Sequence, residues 1–231
     1  MKTTGTNPNI SILFEDNHLL AIHKPAGVLS QEDYSGDPDV LTLCKAYIKK
    51  EYDKPGNVFL GLVHRLDRPV AGVMLLAKTS KAASRISEQI RKRTVKKRYL
   101  AVVSGNPAEN GMLMHHLLKN KNTNTVSVVN SGNSNASKSE LTYQKIEQYK
   151  QFALLQISLI TGRPHQIRVQ LSHEGFPIVG DSKYGDSTES DIALFASELE
   201  IMHPTLKKPL IFSTFPPKKY PWSHFEKHFR P

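Results

Sequence analysis

Two short segments carry residue types that could do chemistry. The first is His64-Arg65-Leu66-Asp67-Arg68, which follows an apolar run at 58–63 and precedes Pro69. Loops at the ends of strands are where reactive groups commonly sit. Asp67 has arginines two before and one after it, and a carboxylate among cations stays ionised. It is then available as a nucleophile or a base, although the same spacing suits a surface ion pair, and His64 alone reads equally as a hydrogen-bonded loop histidine. The second segment is Thr161-Gly162-Arg163-Pro164-His165-Gln166-Ile167-Arg168. A helix starting at Pro164 places His165, Arg168 and Ser172 on one polar face, with Ile167 and Leu171 on another. Arg168 then stands beside a helix N-terminus, where anions are favoured. An exposed helix face is the plainer alternative.

Other candidates are weaker. Gly180-Asp181-Ser182-Lys183-Tyr184-Gly185 reads as a turn bracketed by glycines, with Asp181 and Lys183 stabilising it. Tyr99, after Lys96-Lys97-Arg98, reads as a strand aromatic that packs in a core. His115 and His116 are adjacent, so on a strand they face opposite sides. No histidine pair has zinc spacing, Cys44 is the single cysteine, and neither a Gly-rich phosphate loop nor G-x-S-x-G is present. Nucleotide and serine hydrolysis therefore lack support.

The elements that must position these segments are mostly strands. Residues 10–14 and 18–22 read as two strands around a tight turn, and Lys24-Pro25-Ala26-Gly27 ends the second. Asp39 caps a helix with apolar positions at Val40, Leu43, Cys44, Tyr47 and Ile48. Strands are expected at 58–63 and 72–77, then a helix capped by Ser80. Ala83, Ile86 and Ile90 form its buried face, with Lys81, Arg85 and Lys92 opposite. Residues 99–103 read as a strand, 120–137 as a hairpin or mobile insertion, and 139–147 with 152–160 as paired strands. The helix at Pro164 runs to about Glu174, where Gly175 stops it. Short strands follow at 192–196 and 210–213, and the proline-rich end is irregular. Strands outnumber helices without alternating with them. That favours an α+β fold with a largely antiparallel or mixed sheet.

With 231 residues, 39% hydrophobic, the chain is long enough for a real core. One cysteine excludes a disulfide scaffold. No apolar run reaches membrane-spanning length, and residues 1–9 do not read as a secretory signal. The expectation is a soluble protein of a reducing compartment. The net charge of +10 is local. Residues 61–100 hold eleven Lys and Arg against Asp67 and Glu88 alone, whereas 151–200 hold three against seven acidic residues. The densest block is Arg91, Lys92, Arg93, Lys96, Lys97 and Arg98. It reads either as a solvated helix end or as a stripe that meets phosphates.

Taken together and in order, H-R-L-D-R at 64–68, G-R-P-H-Q-I-R at 162–168 and P-I-V-G-D-S-K-Y-G at 177–185 resemble the RluA-type family of RNA pseudouridine synthases. K-P-A-G at 24–27 and K-R-Y-L-A-V-V-S-G at 97–105 fall where that family has similar segments. The resemblance covers about residues 12–215. Pro69-Val70-Ala71-Gly72 after D-R, Pro164 after G-R and Phe195 depart from the family pattern, which touches substrate contacts rather than chemistry.

The resemblance implies a pseudouridine synthase fold: a central mixed, mostly antiparallel sheet flanked by helices and loops, with two lobes around an active-site cleft. It implies a single catalytic domain over 10–231 after a short disordered or extended segment, 1–9, in a member without the S4-type RNA-binding domain. Asp67, Tyr99 and Arg168 are then the catalytic residues: the aspartate acts, the tyrosine stacks near the base, and the arginine pairs with the aspartate. Arg65, His64, Arg68, Arg163, His165, Gln166, Arg91, Lys92 and Lys96 are expected to bind RNA, with Arg65 aiding base flipping. The activity implied is isomerisation of uridine in tRNA or large-subunit rRNA by a cytoplasmic monomer, without cofactor, metal or membrane. The rivals are a non-catalytic RNA-binding or ribosome-assembly protein on the same fold, and a base-releasing enzyme using Asp67 and Asp181.

Overall fold

The computed structural model describes residues 10–185 and 191–229. The segment 1–9, expected to be extended or disordered, lies outside the described residues. Two compact units are present. One runs to Val95 and regains the chain at Glu200–Thr214; the other holds Lys96–Leu199 and the chain from Phe215 onward.

In the first unit, strands β1 (Ser11–Glu15) and β2 (Leu19–Lys24) form an antiparallel hairpin. Asp16 closes its turn, with Oδ1 accepting the N–H groups of His18 and Leu19 at 2.7 Å each. Helix α1 (Val40–Glu51) starts as expected, because the Asp39 carboxylate accepts the Thr42 N–H. Strand β4 (Ala71–Ala77) pairs antiparallel with β2 from Leu19↔Ala77 to Lys24↔Gly72. Leu19, Leu20, Ala21 and Ile22 are wholly buried, and β4 is buried from Gly72 to Ala77, so this pair is the unit's core. The register decides the site. The loop after β2 and the loop before β4 leave the same end of one strand pair.

Three expectations in this unit shift. The strand at 58–63 shrinks to β3 (Gly61–Leu62), since only those residues pair with β4. Helix α2 (Ser80–Arg91) is capped by Thr79 rather than Ser80, through the Ala82 N–H. Its basic face is also broken. Lys81 and Lys92 are exposed, but Arg85 donates to the Pro204 carbonyl at 2.9 Å.

The second unit is built on an antiparallel array in the order β5 (Lys96–Ser104), β9 (Phe152–Leu159), β8 (Ser137–Tyr149), β6 (Asn110–Asn120), β7 (Thr125–Val129). The stretch 120–137, expected as a hairpin or mobile insertion, holds the β6–β7 turn, β7 itself and the entry to β8. Strand β6 itself is not foreseen. Its inward positions Leu113, His115 and Leu117 include a histidine, which hides the period of two.

Helix α3 (Gln166–His173) begins two residues later than Pro164 suggests. His165 sits in the left-handed region at φ 52, which a helix cannot pass through. The helix ends near Gly175 as expected; that glycine adopts φ +82 and suits a left-handed stop. The proline-rich end is not irregular throughout, as Trp222–His228 form 3-10 turns kinked at Phe225. Strands β10 (Leu194–Met202) and β11 (Pro209–Ser213) complete the set, β10 longer than expected. Among the described residues eleven strands accompany three α-helices, an α+β fold. No helix among them is long and apolar enough to cross a membrane.

Candidate active site

The loop bearing Asp67 is fastened on both sides of that residue. Before it, the Leu66 carbonyl accepts from Ser30 Oγ at 2.8 Å, and the Leu66 N–H donates back to the same hydroxyl at 3.2 Å. After it, the Arg68 carbonyl accepts the Gly27 N–H at 2.9 Å and Lys24 Nζ at 3.1 Å. The Arg68 guanidinium donates through Nε to Gly27 O and pairs with Asp37 at 2.6 Å. His64, expected at the RNA, accepts the Leu75 N–H through Nε2 at 2.9 Å, which spends one ring nitrogen on fastening the loop to β4. Asp67 lies between these anchors, half-buried, with its own carbonyl accepting from Val70 N at 3.0 Å. Arg65 is exposed on the same loop. A reactive group held this way needs little reorganisation to act.

Lys24 is the centre of that fastening, and sequence reasoning does not single it out. Its side chain is completely buried, and Nζ donates to three carbonyls: Pro25 at 2.9 Å, Val28 at 2.7 Å and Arg68 at 3.1 Å. Burial pulls the Lys24 ammonium down to about 7, against the opposing pull of the Asp67 charge; Arg68 lowers it further. Three carbonyl acceptors match the three protons of an ammonium. Lys24→Met keeps the stem length but removes all three bonds, and a buried acceptor left without a donor costs about 1–3 kcal/mol. We expect stability to fall by several kcal/mol, read as a lower Tm in thermal melting. A variant melting within a degree of the parent shows that the carbonyls find other donors.

The second group of predicted residues lies at the start of α3, and there the outcomes divide. Arg168 is not on an exposed polar face; it is 5% exposed and clamped to Asp181, with Nε to Oδ2 at 2.8 Å and Nη2 to Oδ1 at 2.7 Å. Asp181 Oδ1 also accepts the N–H groups of Lys183 and Tyr184, so it organises the turn as expected and orients the arginine as well. Burial pushes the Asp181 carboxyl up. The hydrogen bonds and charge of Arg168, with those two N–H groups, outweigh burial and hold it below the usual carboxylate range. A carboxylate so engaged is a poor general acid.

The Tyr184 ring lies under the Arg168 guanidinium at 5.1 Å, and its hydroxyl meets His165 Nδ1 at 2.6 Å and accepts the Val126 N–H at 2.8 Å. Gln166, expected to contact RNA, turns inward. It is 2% exposed, its Oε1 accepts from Thr161 Oγ1 and Arg163 N, and its Nε2 donates to Glu140 O. Both ends of the amide help to shape the turn before α3. Arg163 remains exposed. Tyr99 is a buried residue of β5, Arg91, Lys92 and Arg93 are exposed at and after the end of α2, and Lys96 is exposed at the start of β5.

A family model described as RNA pseudouridylate synthase matches residues 18–173, from the β1–β2 turn to the end of α3. The chain belongs to this family. A ribosomal large subunit pseudouridine synthase C of Vibrio vulnificus is 34% identical over 209 residues, covering 86% of this chain and 63% of its own length. A ribosomal large subunit pseudouridine synthase D of Xanthomonas campestris is 32% identical over 218 residues, covering 87% and 64%. The solved structure of human RNA pseudouridylate synthase domain containing 4 superposes with a TM-score of 0.76 at 25% identity, covering 90% of this chain and 89% of that one. The pseudouridylate synthase fold expected from the sequence is therefore present. The chain spans less than two thirds of the length of the curated relatives it matches.

Proposed function

We propose that this chain is an isomerase that converts uridine to pseudouridine in large-subunit ribosomal RNA. The family match carries the reading, because residues 18–173 take in both the Asp67 loop and the Arg168 helix. The named relatives point to the ribosomal substrate rather than tRNA. In the reaction the C1′–N1 bond breaks, uracil turns, a C1′–C5 bond forms, and the C5 proton leaves while N1 takes one up. Asp67 either attacks C1′ or removes a sugar proton to give a glycal, and both routes require an ionised carboxylate. Tyr99 offers a stacking face, and Arg168 serves as the cationic partner. A base inside folded RNA must leave its stack to react. Exposed Arg65, a planar cation that stacks on bases and donates to phosphates, suits that step. The proposal includes one catalytic domain acting as a cytoplasmic monomer.

Pseudouridine mapping of ribosomal RNA, with and without the gene, tests the reading. At least one mark should disappear and return when purified protein is added to the unmodified RNA. An unchanged map, with no activity of the protein on that RNA, leaves an RNA-binding protein on the same fold.

The block at the end of α2 is expected to meet the RNA backbone. Lys92 pairs with Glu88 at 2.8 Å, but an exposed pair of this kind is worth little and yields to phosphate. Replacing Arg91, Lys92 and Lys96 together by Ala should reduce the salt slope of RNA binding by about two. An unchanged slope makes the block a solvated surface.

A further inference from the structure

Among the described residues, several other cations of the unit that holds Lys97 are provided for. Arg98 pairs with Glu198, Lys138 with Glu140, Lys145 with Glu109, and Lys183 donates to Asn124 O. Lys97 differs. It is half-buried on β5, and no carboxylate or carbonyl of the described residues takes its ammonium. What faces it is Gly162: a Cβ built on that glycine meets only Lys97 Nζ, at 3.7 Å. Exposed Arg163 follows in the chain, its Nε on Lys138 O at 3.4 Å.

A partly desolvated ammonium without an internal acceptor is costly unless an anion arrives. Burial, with no opposing carboxylate, holds Lys97 below the usual lysine range, so an incoming anion regains what burial removed. The bare Gly162 Cα lets an anion approach the ammonium closely. Lys97 and Tyr99 are two apart on β5, so both point to one face of the strand. Gly162 and Arg163 open the segment that leads to Arg168.

We propose that Lys97, with Gly162 and Arg163, binds a phosphodiester of the RNA substrate beside the nucleotide handled by Tyr99 and Arg168. The assignment rests on the reading of the chain as an enzyme acting on RNA. It also separates two adjacent lysines: Lys96 belongs to the exposed block, whereas Lys97 is a specific contact.

The test is titration of an unmodified large-subunit ribosomal RNA transcript at several salt concentrations, with melting curves to check folding. Lys97→Gln should weaken binding about tenfold and lower the salt slope by about 0.7–0.9, one phosphate contact. Lys97→Arg should keep the slope. Gly162→Asp should reproduce the loss, because its Cβ has room and brings a carboxylate to the ammonium. That variant decides the matter if Lys97→Gln does not fold. Unchanged affinity and slope in Lys97→Gln or Gly162→Asp overturn the assignment. So does inorganic phosphate perturbing Lys97 while the RNA slope stays independent of it, which makes the site one for free phosphate. Parent protein that shows the Lys97-dependent slope but forms no pseudouridine refutes the enzymatic reading and leaves the phosphodiester site standing.

Discussion

Asp67→Asn is expected to lower the rate of pseudouridine formation by at least about 10³-fold, while RNA affinity stays within about twofold. Positioned acid–base and nucleophilic groups act on this scale. The amide keeps the shape of the carboxylate but neither attacks C1′ nor takes a proton. The loop should survive the change, because Ser30, Gly27 and Lys24 hold it through the backbone of Leu66 and Arg68. One secondary effect follows from charge. The Asp67 carboxylate opposes the burial that brings Lys24 down to about 7, so its loss shifts Lys24 further toward the neutral amine. A neutral amine has two protons for three carbonyls. The stability sign is fixed by the lowered lysine. The unfolded chain binds more protons than the folded one between about 7 and the usual lysine range, so this group's contribution rises with pH there and is lost as pH falls through about 7. Chemical mapping of pseudouridine on transcript RNA, with single-turnover rates, reads the main effect. A variant that modifies RNA at the parent rate removes Asp67 from the chemistry.

The readability of this chain follows how local each determinant is. The β1–β2 hairpin, the Asp39 cap of α1 and the β8–β9 pair depend on neighbours in sequence, and all three form as their patterns indicate. What the sequence hides is what a distant partner decides. Gln166 sits in a motif that looks suited to RNA, yet Thr161 and Glu140 bury its amide. His115 faces inward on β6 because Gln170 and Glu174 meet its ring. The burial of Lys24 is invisible in sequence, since a lysine defaults to the surface and only three converging carbonyls justify it. The left-handed His165 shortens α3, and no spacing rule announces it. The same limit explains Asp181. Its turn role is local and legible, whereas its grip on an arginine thirteen residues earlier is not.

Asp181→Ala tests that grip and carries the largest stability cost expected here. Removing one partner of a buried pair leaves the other charge uncompensated, at about 3–5 kcal/mol. Arg168 and Asp181 are 5% and 1% exposed, so little solvent reaches the stranded guanidinium. The substitution also takes away the acceptor for the N–H groups of Lys183 and Tyr184, loosening the ring that lies beneath Arg168 at 5.1 Å. A drop of about 10 °C in Tm is expected for a chain of this size. Asp181→Asn separates charge from geometry: its amide oxygen keeps the turn but lacks the charge that answers the arginine, so stability should fall by less while the rate still drops. If Asp181 only builds the turn, Asp181→Asn should match the parent in both melting and rate. Arg168→Lys gives the converse measurement, since one ammonium cannot replace a two-point grip. Equal activity of Arg168→Lys and the parent leaves the pair with a purely structural role.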